Sequence, residues 1–333
     1  MKLTEAIEKF LVSYRAGGKS NATVDLYEID LTQLANYLED PEQGSIELDS
    51  ITLENLEEYM VYLQDEYVPQ RKNGDTSTLA GNSLRNHVKA IRALFTWAVE
   101  REHLKNRPDK GLKLPKDNPR AILPLEREEV MKLMRAAEFT KQAETKDERK
   151  GGKRKAFKMA RPTAARDRAL IQLMVDIGLR AGEVCRLKVK DVDLEKCQVE
   201  ITPYGNSRKK TDPRPLWFGK TARRYLEQYL ASRPDLKPND PLFPAKQGGF
   251  LNSSALRHLV MDLGKRAGVK GVHPHRLRHT YSVEHLRNGG DIKTLKYYLG
   301  HESLEMVERY VKFVDADYQR IHRLTSPADN WGM

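Results

Sequence analysis

A segment rich in proline and glycine at residues 106–119 interrupts the helical pattern and divides this chain into two parts that fold separately. Its helix-breaking residues are Pro108, Gly111, Pro115 and Pro119. Proline lacks an amide hydrogen and clashes with the preceding helical turn, so this segment has the character of a linker. The 333 residues suffice for two domains with separate cores. We expect one domain at residues 1–107, a linker at 108–119 and a second domain at 120–333.

The first part has the pattern of a helical domain. Apolar residues recur with helical spacing, and the alternation typical of strands is rare. In residues 82–104 one face is apolar, while Arg85, Lys89 and Arg92 lie at i, i+4 and i+7 on another face. This basic face predicts either contacts to DNA phosphates or an ordinary solvated surface. We therefore name the three residues as candidate DNA-binding residues.

The charge of the chain favours a polyanionic partner. Its 58 Lys and Arg outnumber 47 Asp and Glu, and the formal net charge is +11. Each basic side chain that neutralises a DNA phosphate releases a counterion, which favours binding. A basic protein without such a partner remains an alternative.

The two cysteines, Cys185 and Cys197, lack the spacing of a disulfide framework or a cysteine zinc site. Without a signal-peptide pattern or a membrane-length apolar run, a soluble cytoplasmic protein associated with the nucleoid is expected.

The second part has the pattern of a mainly helical domain with a small antiparallel β-hairpin or sheet. Residues 198–202 and 215–218 predict two strands joined by a polar turn. Helical spacing marks the segments 165–177, 253–267, 274–288, 292–299 and 304–324.

A basic insertion at about residues 140–162 interrupts this second part. Between Lys141 and Arg168 there are eleven basic and four acidic residues. The composition predicts a loop that either follows DNA or is merely solvated.

The chemistry of the second part is concentrated in a few short motifs. They are Gly178-Leu179-Arg180, His275 with Arg278, Leu299-Gly300-His301, and Tyr310. Guanidinium groups hold the non-bridging oxygens of a phosphate, imidazoles transfer protons, and a phenol can act as a nucleophile. This combination predicts the breaking and joining of DNA strands without a metal ion.

The positions of these residues support a common site. Pro274 favours a helix start, which places His275 and Arg278 at a helix N-terminus where a phosphate is stabilised. Gly300 can end a helix in a left-handed conformation and turn His301 into a cleft.

The motifs are also open to three other interpretations. His275 and His279 have the i, i+4 spacing of a zinc pair, but Arg276 stands where a zinc protease has glutamate and repels a cation. The glycine-interrupted helices of residues 289–300 are also compatible with a helix-turn-helix module. Tyr310 alone would be most simply a core residue on an apolar helix face.

These motifs resemble those of the tyrosine recombinases, also called phage integrases, whose catalytic domain plan is shared with type IB topoisomerases. The resemblance covers most of the chain. It implies a helical, SAM-like core-binding domain and an α+β catalytic domain that together clamp DNA. It also implies that Glu183 supports the active site and that a lysine lies on the hairpin. Lys210 is our choice for that lysine, and Lys209 is the alternative and a candidate DNA contact.

The resemblance further implies a mechanism. Tyr310 attacks a DNA phosphate and forms a 3′-phosphotyrosine, with His275 as general base. Arg180 and Arg278 hold the non-bridging oxygens, and His301 adds a hydrogen bond. Lys210 protonates the leaving 5′ oxygen. No metal, ATP or other cofactor is required.

The implied function is that of a site-specific recombinase acting on a double-stranded DNA recombination site. A homotetramer on paired sites is expected, with residues 316–333 packing on a neighbouring protomer, and an accessory DNA-bending or directionality protein is compatible with this scheme. The basic insertion favours integration or excision of a mobile element over Xer-type dimer resolution. A non-catalytic DNA-binding regulator and a topoisomerase remain alternatives.

Overall fold

The computed structural model describes residues 1–39, 44–70, 75–116, 123–139, 159–202, 213–301, 303–311, 322–323 and 325–331. They form two compact units. The first comprises the described residues as far as Lys116, and the second those from Leu123 onward. The predicted limits of the domains and linker stay a prediction.

The first unit contains four α-helices. They are α1 (Leu3–Ala16), α2 (Asn21–Leu38), α3 (Leu53–Asp65) and α4 (Gly81–Glu100). The Thr52 side chain accepts a hydrogen bond from the Asn55 amide, and the Asn55 side chain accepts one from the Thr52 amide. This capping box stabilises the start of α3. The buried side chains of the four helices, including Phe10 and Phe95, form one core.

A polar cluster is buried among these helices. The Tyr59 hydroxyl lies 3.2 Å from Nδ1 of His87, and Nε2 of His87 lies 3.4 Å from Oδ1 of Asp30. Burial raises the pKa of Asp30 to about 6 and lowers the pKa of His87 to about 4. Both shifts favour the neutral form, as expected where water is excluded.

The segment that follows α4 is held on its surface. Arg85 donates to the Pro115 carbonyl at 2.5 Å, and Arg92 donates to the Leu112 carbonyl at 2.6 Å. Leu112 is itself buried in the core of the first unit. Part of the segment predicted as a linker therefore packs on the first unit, and two of the candidate DNA-binding arginines hold it there.

The second unit combines nine α-helices among the described residues with a three-stranded antiparallel sheet. Its helices are α5 (Arg127–Glu138), α6 (Ala164–Ile177), α7 (Ala181–Arg186), α8 (Lys220–Ala231), α9 (Ser253–Ala267), α10 (Pro274–Arg287), α11 (Ile292–Leu299), α12 (Glu305–Val311) and α13 (Pro327–Trp331). Its strands are β1 (Val192–Asp193), β2 (Gln198–Ile201) and β3 (Arg214–Trp217). The mainly helical fold with a small antiparallel sheet confirms the predicted class.

The sheet is one strand larger than the predicted hairpin. Strand β2 pairs with β3, with Val199 opposite Leu216, and the short β1 pairs with the other edge of β2. Helix α8 was likewise not predicted. Its buried side chains, Ala222, Leu226 and Tyr229, recur at i, i+4 and i+7, so the helical pattern was present in the sequence.

Helix α6 lies at the centre of the second unit, in contact with α5, α8 and α10. It ends at Gly178, whose φ is +64°. A Cβ atom at this glycine would lie 2.3 Å from the Tyr281 ring of α10. Only glycine fits both the left-handed backbone and the close ring, and the resulting turn directs the chain to Arg180.

Several predicted features lie outside the described residues. These are Lys209 and Lys210, most of the basic insertion, and much of the helix predicted at 304–324, of which Glu305–Val311 is described. Within the part of the chain that can be described, no helix is long and apolar enough to cross a membrane.

Candidate active site

Arg180 stands at the start of α7, one residue beyond the turn at Gly178–Leu179. Its Nη2 atom donates to the Gly300 carbonyl at 2.8 Å, and its Nη1 atom lies 3.3 Å from Oε1 of Glu183. The Glu183 carboxylate also accepts from the Arg180 amide at 2.8 Å. These contacts orient a guanidinium whose side chain is still 40% exposed.

Glu183 is shared with a second arginine that the sequence analysis missed. Arg214 on β3 donates to Oε1 of Glu183 at 2.8 Å, and both side chains are buried. Burial alone would raise the pKa of Glu183, but Arg214 and the Arg180 amide outweigh it and lower the pKa. The carboxylate therefore stays ionised between two cations. The only signal for Arg214 is a charged residue in an otherwise apolar strand segment.

Arg278 is the deepest cation of the site, with 2% of its surface exposed. Its guanidinium donates to the Gly178 carbonyl at 2.8 Å and to the Leu299 carbonyl at 2.7 Å. Its Nη2 atom also lies 2.9 Å from Nε2 of His301. Burial lowers the pKa of Arg278 to about 10, which leaves it charged at neutral pH.

His301 reaches this position through the end of α11. Gly300 has a φ of +57°, and a Cβ there would lie 2.9 Å from Cζ of Arg214. The left-handed residue turns the chain so that His301 faces Arg278, as predicted from the Leu-Gly-His motif.

A cleft of about 780 Å³ joins these side chains. Four predicted site residues line it, namely Arg180, His275, Arg278 and His301. Helix α10 begins with Pro274 at its first turn, as predicted, and His273 caps it by accepting from the Arg276 amide. His275 is exposed at the cleft. Side chains not predicted to lie there are Ser253, Arg257 and His273.

Tyr310 lies on α12 and is fully buried. It belongs to a small apolar cluster with Leu295, Leu299 and Val307. Its hydroxyl oxygen lies 2.8 Å from Nδ1 of His279, and the His279 ring is packed edge-on against His275 at a centroid distance of 4.2 Å. From the sequence alone, His279 is a candidate only as half of a zinc pair with His275. Its spacing relative to His275 was informative, but the contact depends on how α12 packs against α10.

The other predicted site residues are placed as follows. Arg85 and Arg92 bond carbonyls of the first unit, Lys89 is exposed on α4, and Lys209 and Lys210 lie outside the described residues. Within the described residues, no group of three or more histidines, cysteines and carboxylates is arranged to hold a metal ion.

Known proteins match both units of the chain. The phage integrase family model matches residues 153–316, and the phage integrase SAM-like domain model matches residues 2–113. The tyrosine recombinase XerC of Xylella fastidiosa (strain M23) is 28% identical over 251 residues, which make up 75% of either chain. The XerC of Staphylococcus epidermidis (strain RP62A) is 24% identical over 311 residues, 92% of either chain.

A solved structure shares the fold. The Tn1549 transposon integrase in complex with a circular intermediate DNA has a TM-score of 0.65 and 18% identity to this chain. The match covers 93% of this chain and 95% of that one. The two family models cover the helical first unit and the arginine, histidine and tyrosine motifs of the second. This chain therefore belongs to the phage integrase family and is a tyrosine recombinase, a DNA strand-transferring enzyme.

Proposed function

We propose that this recombinase cleaves and rejoins DNA at a specific site through a phosphotyrosine at Tyr310, and that it integrates or excises a mobile element. The observation that carries the chemistry is the convergence of Arg180 and Arg278 on one cleft with His275 and His301. Two guanidiniums in one cleft match a phosphodiester, whose two non-bridging oxygens share one negative charge.

The arginines act on the charge that develops during the reaction. Both are held by backbone carbonyls before any substrate arrives, at Gly300 for Arg180 and at Leu299 for Arg278. A pre-oriented cation stabilises a pentacoordinate phosphorane without reorganisation, and removing one such donor typically costs about a hundredfold in rate. Glu183 positions Arg180 and does not react.

Tyr310 supplies the nucleophilic oxygen. Its attack forms the Tyr–O–P bond and breaks the bond from phosphorus to the 5′ oxygen, and a 5′-hydroxyl later reverses the exchange. Because the ester bond is conserved, the exchange requires no external energy source. The side chain is fully buried in the described state. The side chains that cover Tyr310 must therefore move aside before its hydroxyl contacts DNA.

The remaining roles follow from position. His301, which lies 2.9 Å from Arg278, adds a hydrogen bond to the phosphate. His275 is the exposed imidazole of the cleft and acts in proton transfer. Lys210, or Lys209 beside it, protonates the leaving 5′ oxygen.

The substrate is double-stranded DNA, and recombination pairs two sites in a homotetramer. The excess of basic residues supports binding to DNA. A role in a mobile element is supported by the fold shared with the Tn1549 transposon integrase, which was solved with a circular intermediate DNA. Dimer resolution is the second candidate, and the identity to XerC proteins favours it.

The test uses duplex fragments from the DNA flanking the gene, nicked near candidate crossover points and incubated with the protein in EDTA. We expect a covalent protein–DNA adduct on a denaturing gel, and none with Tyr310→Phe. Tyr297→Phe is the matched control, since Tyr297 is 43% exposed on α11. Tight binding without an adduct on any fragment would favour a DNA-binding regulator instead.

The candidate roles of this chain are separated by the fate of the substrate. Joining of two duplexes that each carry the cleaved site supports recombination, whereas relaxation of a supercoiled plasmid without a paired site supports a topoisomerase. Recombination between an element end and a chromosomal site supports integration, and recombination restricted to repeated chromosomal sites supports dimer resolution.

A further inference from the structure

The hydroxyl of Tyr310 is already in contact with an imidazole outside the predicted catalytic set. Its oxygen lies 2.8 Å from Nδ1 of His279. This separation is within the hydrogen-bonding range required between a general base and the oxygen whose proton it accepts. On the basis of the proposed function, we infer that His279 is a further catalytic residue, the immediate proton acceptor of Tyr310 during strand cleavage.

Burial of the nucleophile supports this assignment. Tyr310 has none of its surface exposed, so in this state its proton cannot pass directly to bulk water. A phenol has an ordinary pKa of about 10 and needs an acceptor to react at neutral pH. His279 provides that acceptor on a different helix from the tyrosine, and its orientation is restrained because its ring packs against His275.

The step balances in both directions. A Tyr310 hydroxyl that donates to Nδ1 requires the His279 tautomer with its own hydrogen on Nε2. As the Tyr310 oxygen bonds to phosphorus, its proton moves to Nδ1 and gives an imidazolium, while the 5′ oxygen leaves and is protonated by the hairpin lysine. In the joining step the imidazolium returns the proton to the departing tyrosine oxygen.

Helix α10 offers a matched control for this contact. His285 lies on the same helix as His279, and its Nδ1 atom also faces a tyrosine hydroxyl, that of Tyr281 at 3.4 Å. Tyr281 is not the nucleophile. The variants His279→Asn and His285→Asn therefore make the same chemical change at two similar contacts. Asparagine places an oxygen near the Nδ1 position, so it keeps a hydrogen-bond acceptor but cannot take up a proton near neutral pH.

The kinetic test measures formation of the covalent adduct on a nicked flanking duplex in a single turnover between pH 5.5 and 8.5. We expect wild type to slow towards low pH as the imidazole is protonated. His279→Asn should be slower by about a hundredfold at neutral pH and should lose that dependence. His285→Asn should match wild type.

Other titrating groups must be separated from His279. Two titrating groups in contact with its ring are His275 on α10 and Tyr310 on α12. His275→Asn serves this purpose, because it should lower the rate while leaving the pH dependence caused by His279. Loss of the dependence in His275→Asn and its retention in His279→Asn would overturn the inference in favour of His275.

Three further results would also overturn the inference. His279→Asn with a rate near that of wild type would exclude a role in proton transfer. A reduced rate with the wild-type pH dependence would mean that His279 only packs against Tyr310. A faster rate would mean that the bond restrains the tyrosine in its buried position.

A second readout requires no DNA. In protein labelled with ¹⁵N-histidine, long-range nuclear magnetic resonance spectra should show His279 as the Nε2–H tautomer, and Tyr310→Phe should change the His279 signals but not those of His285. An unchanged His279 spectrum in Tyr310→Phe would overturn the contact itself. If wild type forms no adduct on any fragment, the proposed function fails and the catalytic role with it, whereas an adduct unaffected by His279→Asn overturns the role alone.

Discussion

A buried arginine that serves a phosphate must be held by groups that do not neutralise it. Arg278 meets this requirement, because two of its partners are the neutral carbonyls of Gly178 and Leu299. Its positive charge is therefore available to the substrate, unlike that of Arg214, which faces the carboxylate of Glu183.

Replacing Arg278 with lysine tests this arrangement at constant charge. An ammonium is a point charge without the planar fork that reaches both carbonyls and the cleft. We expect Arg278→Lys to slow adduct formation by at least about a hundredfold. We also expect it to lower the free energy of unfolding by about 1–3 kcal/mol, because a buried carbonyl loses its donor. Single-turnover cleavage and urea unfolding measure the two effects, and wild-type cleavage by the variant would contradict the assigned role.

The buried Asp30–His87 pair makes a prediction about stability and pH. The folded-state pKa of Asp30 is raised to about 6, so between about pH 4 and 6 its ionisation destabilises the first unit as pH rises. The folded-state pKa of His87 is lowered to about 4, so over the same range loss of its proton restores stability as pH rises. The opposed effects leave wild-type stability nearly constant there.

Removing either partner should reveal the effect of the other. As the pH rises from 4.5 to 6.5, we expect the unfolding free energy of Asp30→Asn to increase by about 2–3 kcal/mol, because only His87 still titrates. Over the same rise, the unfolding free energy of His87→Asn should decrease by a similar amount, because only Asp30 still titrates. Urea unfolding would be followed by the fluorescence of Trp97, in a chain with Trp217→Phe and Trp331→Phe. Parallel pH profiles for wild type and both variants would contradict the opposed titrations.

At the scale of the element, the turn after α6 connects packing to the position of Arg180. Gly178 and Gly268 both end helices with positive φ, at +64° and +68°. A Cβ at Gly178 would meet the Tyr281 ring at 2.3 Å, whereas one at Gly268 would meet nothing within 4 Å. The two glycines thus separate the cost of the backbone conformation from that of the steric clash.

We expect Gly268→Ala to cost about 1 kcal/mol of stability, which is the backbone effect alone. Gly178→Ala should cost at least about 1–3 kcal/mol more, because the added methyl group displaces Tyr281. It should also slow cleavage, since the turn carries Arg180. Thermal unfolding and adduct formation provide the comparison, and equal losses from the two variants would mean that the ring yields freely.

The helices of the active site were largely predictable from local pattern. The predicted segments 253–267 and 292–299 coincide with α9 and α11, and α10 ends one residue before the predicted Asn288. Proline at the start of α10, a capping glycine and the apolar spacing are all local signals. Two contacts of the site each join residues that are 31 positions apart in sequence, namely Glu183 with Arg214 and His279 with Tyr310. No local pattern specifies such contacts, because they depend on which helix faces and strands pack together.

At the scale of the whole molecule, the net charge of +11 implies DNA binding that weakens with salt. The candidate DNA-binding residues on α4 differ in how free their side chains are to contact DNA. Lys89 is exposed, whereas Arg92 bonds the Leu112 carbonyl. An exposed lysine contributes charge alone, but a bonded arginine also holds structure in place.

We therefore expect Lys89→Gln to lower the slope of log affinity against log salt by about one, with stability unchanged. Arg92→Gln should also lower the free energy of unfolding by about 1 kcal/mol. Fluorescence anisotropy with labelled duplex at 50–200 mM salt and urea unfolding distinguish the two. An unchanged slope for Lys89→Gln would place the DNA surface elsewhere on the chain.

The two arginines of the cleft donate hydrogen bonds to the carbonyls of consecutive residues, Arg278 to that of Leu299 and Arg180 to that of Gly300. These carbonyls belong to two successive planar peptide units that meet at the Cα atom of Gly300, so their relative orientation is set by the φ of +57° and the ψ of +49° at that residue. The relative position of the two guanidiniums in the cleft thus depends on the backbone conformation of a single glycine. Substitutions elsewhere on α11 can therefore change the surface of the helix without moving the two arginines, as long as Gly300 keeps its left-handed conformation.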